Sequence, residues 1–128
     1  MKLTQDEIVK FASELAKFAE AGDFDNLCKY YSPEARLWVN TSQTWSSLDE
    51  HLASAMEVRK QLRGLRYLDM RIQPFENGYV QQCRTLADLA DGRRFDLPVC
   101  IIFRLRDGKI IEREEYVDSA GVTMESSE

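Results

Sequence analysis

The sequence predicts an α+β fold, helices packed on an antiparallel sheet, and three observations carry that prediction. Apolar residues recur at three- and four-residue spacing through most of the first half, behind capping signals at Thr4 and Ser47. From Leu65 onward the period changes to two. The period-two segments are joined by Asn77-Gly78, Asp91-Gly92 and Asp107-Gly108, pairs that favour tight hairpin turns. Helices first and strands afterwards make an α+β layering.

Thr4-Gln5-Asp6-Glu7 is a capping box, and Ile8, Phe11, Ala12, Leu15, Phe18 and Ala19 then share one face until Gly22, so the first helix spans about residues 5–21. Asp23 caps a shorter helix carrying Phe24, Leu27, Cys28 and Tyr31, which ends near Ser32-Pro33 because the residue before proline avoids helical angles. Arg36 to Asn40 reads as the first strand, with Leu37 and Val39 on one face and Trp38 and Asn40 on the other. After the polar stretch Thr41 to Ser46, Ser47-Leu48-Asp49-Glu50 forms a second capping box. Leu48, Leu52, Ala55, Met56 and Leu62 then mark a third helix ending near Gly64. Four strands at about 66–75, 79–89, 93–106 and 109–118 complete an antiparallel meander.

The 128 residues make one domain, 1–128, with a core at about 5–122 and a short acidic tail, Met124 to Glu128, that is expected to fray. Seventeen basic against 22 acidic residues give a charge of −5 without a basic stripe, which argues against nucleic acid as a partner. Three widely spaced cysteines suggest neither a disulfide framework nor a metal site. No segment approaches the ~20 apolar residues of a membrane span, and Met1 leads into a polar stretch rather than a signal, so a cytoplasmic protein is expected. A glycine-rich phosphate loop, a nucleophile elbow and a Cys/His pair are all missing, which argues against nucleotide cofactors and covalent catalysis; no cofactor is expected.

Leu97, Val99, Ile101, Phe103 and Leu105 mark one buried face of the third meander strand, yet Cys100 and Ile102 on the opposite face are also apolar. Three helices cover one face of such a sheet. The other face is most economically buried against a second copy, so the pattern predicts a homodimer.

Ala21-Gly22-Asp23, the run Tyr31 to Trp38, and Phe103 to Glu112 followed by Tyr116-Val117-Asp118 resemble the nuclear transport factor 2-like superfamily, and within it the SnoaL-like polyketide cyclases and limonene epoxide hydrolases. The resemblance runs from about Asp6 to Val122. It implies a cone, or cystatin-like roll: a curved antiparallel sheet wrapped around three helices, enclosing a mostly apolar pocket and commonly paired through the sheet's outer face. Function varies within this superfamily, which hosts isomerases, cyclases, dehydratases, hydrolases and non-catalytic binders. In the epoxide hydrolases an aspartate–arginine–aspartate group activates water, helped by a tyrosine and an asparagine on the first strand. Trp38-Val39-Asn40 resembles that first-strand element with tryptophan for tyrosine, Arg84 matches the arginine when aligned on the Asn77-Gly78 turn and the aspartate when aligned on Gly92, and Glu115 falls where the final-strand aspartate would sit. The middle aspartate is lost, since Leu86 or Arg84 occupies its place according to register.

The resemblance therefore implies Glu115 as a proton carrier, with Arg84 and Asn40 as orienting groups, in a cofactor-independent acid–base enzyme for a small hydrophobic molecule. Trp38, Leu52, Met56, Leu86, Leu97, Val99 and Val117 are the candidate lining. Arg113 shares Glu115's strand face two residues away and rivals Arg84 as its partner. Tyr31 either reaches the pocket or covers the core. His51, on neither apolar stripe position of the third helix, is expected in solvent. A non-catalytic ligand-binding or protein-interaction dimer of the same fold is the alternative.

Overall fold

In a computed structural model, which describes residues 2–123, the expected helix-then-sheet layering is present. Helix α1 spans Gln5–Ala21, with both halves of the Thr4/Glu7 capping box formed and Gly22 closing it at φ +72°, the left-handed region that glycine enters without a Cβ clash. Helix α2, Phe24–Leu27, is a single turn behind the Asp23 cap and passes into a 3-10 turn at Cys28–Tyr30. The chain turns extended at Tyr31, earlier than the proline rule suggests, and Pro33 lies inside strand β1, Tyr31–Val39, where its pairing is interrupted between Tyr31 and Arg36.

Strand β2, Thr44–Ser47, is the expected polar stretch folded back on β1. Helix α3, Leu48–Arg59, stops a turn sooner than its apolar pattern suggests, and strand β3, Leu62–Phe75, takes over Leu62. Gly64 sits within β3 at φ +63°, in a register shift between Arg63 and Arg66, so it bends a strand rather than ending a helix. Strands β4 (Gly78–Leu89), β5 (Arg94–Arg106) and β6 (Lys109–Val117) complete the hairpins. The two-residue β7, Val122–Thr123, pairs with β5.

The main sheet order is β2-β1-β6-β5-β4-β3. All neighbours pair antiparallel except β1 and β6, which run parallel. Bulges in β1 and β3 help curve the open sheet over the helices. Ile8, Ala12 and Leu15 of α1 pack into that concave face with Leu37, Tyr79, Phe103, Leu105 and Ile110, forming the core at one end of the cone. The other end stays open as a cavity. The frayed tail expected at Met124 to Glu128 lies outside the described residues.

Candidate functional site

The cavity has a volume of about 790 Å³ and lies between α3 and the inner face of the sheet. Its size suits a small molecule of several rings, and its walls are mainly apolar, including Leu52, Leu97, Val99 and Val117 as expected from the sequence. Strand register sets its polar groups in rows. Phe103 of β5 lies opposite Arg113 of β6, and Ile101 lies opposite Glu115, so both charged side chains project from the inner face.

Arg113 Nη1 stands 2.8 Å from Glu115 Oε1, with side-chain exposures of 13% and 21%. The contact is an ion pair without hydrogen-bond alignment, because Nη1 is buried and has no acceptor in hydrogen-bonding geometry. Burial works to lower the Arg113 pKa, but the charge of Glu115 and the neighbouring Tyr31 and Tyr67 outweigh it and hold the guanidinium protonated. Arg113 is the partner of the Glu115 carboxylate among the described residues, and Glu115 lines the cavity.

His51, Tyr67 and Tyr31 line the same space. Burial, with the Arg113 charge acting in the same direction and Glu115 opposing, pushes the His51 pKa down to about 4, so its imidazole is neutral at pH 7. Burial pushes the Tyr67 phenol up to about 12 and raises Tyr31 as well, Arg113 opposing in both cases. Both phenols therefore keep their protons and are hydrogen-bond donors toward the cavity. Tyr67 is held by its backbone: its N–H donates to Glu20 Oε2 at 2.9 Å. Close by, Arg59 of α3 donates to Ala19 O at 3.0 Å and Glu20 O at 2.7 Å, capping α1 and tying α3 across the cavity.

Several sequence-predicted site residues stand elsewhere. Arg84 points to the outer face of β4, 46% exposed, and binds Asp96 at 2.8 Å and Asp69 at 3.5 Å; Arg113, not Arg84, partners Glu115. Leu86 shares Arg84's strand phase and is likewise absent from the cavity wall, which Gln81, Cys83 and Thr85 supply instead. Trp38 also lies outside, 5.2 Å from the Tyr116 ring, because β1 turns Leu37 and Val39 to the cavity. Asn40 spends its amide on the sheet, accepting from Val117 N at 3.0 Å and donating to Val117 O at 3.1 Å. Met56 is 40% exposed and outside the wall, since α3 presents His51, Ala55 and Val58 inward.

His51 was thus misplaced by the stripe chosen for α3. Its i+3 spacing from Leu48, the buried residue of that helix, was the available signal. Tyr67 and Gln81 went unnoticed as polar members of inner strand faces.

Residues 12–113 match the SnoaL-like domain family. No curated protein sequence matches the chain significantly. Among solved structures, AclR, a candidate hydroxylase from Streptomyces galilaeus, superposes with a TM-score of 0.83 at 15% identity over 92% of this chain and 83% of its own. IdmH, a candidate polyketide cyclase from Streptomyces antibioticus, gives 0.80 at 15% identity over 90% and 94%. A candidate polyketide cyclase from Xanthomonas campestris gives 0.80 at 13% identity over 89% and 95%. At such identities these likenesses concern the fold, and with most of its length matched the chain belongs to the SnoaL-like domain family.

Proposed function

We propose that the protein is a cofactor-independent acid–base enzyme acting on a small, largely apolar carbonyl compound. The observation that carries this reading is the Glu115 carboxylate lining an apolar cavity, 2.8 Å from Arg113, its partner among the described residues. Glu115 removes a proton from the carbon beside the carbonyl. The C–H electron pair moves into an enolate whose oxygen is met by Tyr67, Tyr31 or Arg113, and the protonated Glu115 returns the proton to the same or a neighbouring carbon. Neutral His51 orients a substrate oxygen or relays that proton. Two of the similar structures are described as candidate polyketide cyclases, in keeping with a small-molecule substrate.

The outer face supports a homodimer as part of this proposal, because Trp38 and Tyr116 lie side by side there, with Tyr116 exposed. A monomeric mass by light scattering at micromolar concentration removes it.

The enzymatic reading is tested with 1-tetralone in D2O. The ketone is expected to raise the melting temperature and to take up deuterium beside its carbonyl faster than in buffer. Absence of stabilisation by ketones, epoxides, lactones and polycyclic aromatics alike, with no exchange, overturns the reading.

A further inference from the structure

We propose that Gln81 determines specificity by reading a second oxygen of the substrate, two strands along the same sheet wall from Glu115. The substrate is then a ring compound of at least two fused rings, with a carbonyl at the reacting end and a hydroxyl or carbonyl at the other. This rests on the Glu115 reading for which end reacts.

Gln81 is the buried polar residue of the sheet interior, 6% exposed, and its side chain lines the cavity. Its amide has no hydrogen-bond partner among the described residues. The amide atoms are not among the fully buried unpartnered ones, Tyr79 Oη and Arg113 Nη1, so they open to the cavity, and a mostly buried polar group that keeps its donors and acceptor free toward an apolar cavity is matched to a ligand. Register supplies the geometry. Gln81 lies opposite Ile101, and Ile101 lies opposite Glu115, so amide and carboxylate stand in one row with an apolar residue between them. Two strand spacings put their Cα atoms ~10 Å apart, and with both side chains leaning into the cavity a fused bicycle resting on Ile101 reaches from one to the other. An amide donates and accepts, so it takes a hydroxyl or a carbonyl equally and selects no charge.

The test is a matched pair, 1-tetralone and 6-hydroxy-1-tetralone, with binding followed through tryptophan fluorescence, since Trp45 lines the cavity. Deuterium uptake is measured alongside. Wild type is expected to bind the hydroxyketone roughly five- to tenfold more tightly, the worth of about one hydrogen bond. Gln81→Leu is expected to bind the two equally and to keep its unliganded melting temperature, because an apolar group replaces an unpaired amide. Equal binding by wild type, or a preference that survives Gln81→Leu, overturns the assignment. A lowered melting temperature in both Gln81→Leu and Gln81→Met also overturns it, by making the amide structural. A wild type that discriminates the pair but exchanges neither supports Gln81 and removes Glu115 as base; binding of neither ketone overturns both.

Discussion

Two arginine–glutamate groups share strand β6 and face opposite ways. Inside, Arg113 meets Glu115 at 2.8 Å with exposures of 13% and 21%. Outside, Arg104 of β5 reaches Glu112 at 3.3 Å and Glu114, with Arg104 and Glu112 both more than 40% exposed and Glu114 at 22%. The residue types are the same, and the alternation of a strand assigns them to different solvents. Water screens the outer group, whose attraction is offset by the entropy of fixing long side chains. The inner pair sits where desolvation is expensive, so each charge depends on the other. One run of sequence, Arg113-Glu114-Glu115, thus supplies both a cavity charge and a surface ladder.

The largest expected effect on stability breaks the inner pair from its cationic side. Arg113→Met leaves Glu115 without a counter-charge in the cavity wall and should destabilise by about 3 kcal/mol in urea unfolding. Removing both partners, Arg113→Met with Glu115→Leu, should recover much of that loss; a double variant no better than the single means the inner pair does not differ from the outer one.

Burial in the same wall, with Arg113 adding to it and Glu115 opposing, depresses His51. Its folded pKa of about 4 lies below the ordinary 6.5, so between those values the unfolded chain takes up a proton that the folded imidazole refuses. Stability should therefore fall as pH drops through that window, by no more than about 3 kcal/mol. His51→Gln should lack this component, and identical pH profiles of the two proteins would place His51 in solvent.

Next in size, Asn40→Leu removes both amide bonds to Val117 and should cost about 2 kcal/mol, with the outer and inner pairs left in place. The smallest effect is expected outside. Arg104→Ala should cost at most about 1 kcal/mol, less in high salt. A larger loss that depends on protein concentration would show that the outer face is buried between two copies.

The fold was legible because its signals are local. Capping boxes at Thr4 and Ser47 and three turn pairs mark most element boundaries, and the five alternating apolar residues of β5 fix the phase of the sheet. Harder to read were elements defined by tertiary pairing: β2 is polar and exists because β1 offers an edge, while the parallel β1–β6 pair brings distant segments together. The same distinction runs through the site. Leu97, Val99 and Val117 lie on strands whose phase follows from β5. Glu115, Trp38, Asn40 and Arg84 were assigned by resemblance to another constellation. Of these Glu115 alone reaches the cavity, while Trp38, Arg84 and the lining candidate Leu86 lie on the strand phase that faces away from it and Asn40 follows the end of β1. Gln81 and Tyr67 carry no motif, and their importance arises only when a curved sheet turns them toward a common space.

The most direct measurement compares the two faces in one assay: deuterium uptake into 1-tetralone by wild type, Glu115→Gln and Glu114→Gln. Glu115→Gln should slow exchange by about 100-fold or more, as loss of a general base does, while Glu114→Gln stays within about twofold of wild type. Equal rates in all three, or equal losses in both variants, would contradict the assignment of Glu115 as the proton carrier of the cavity.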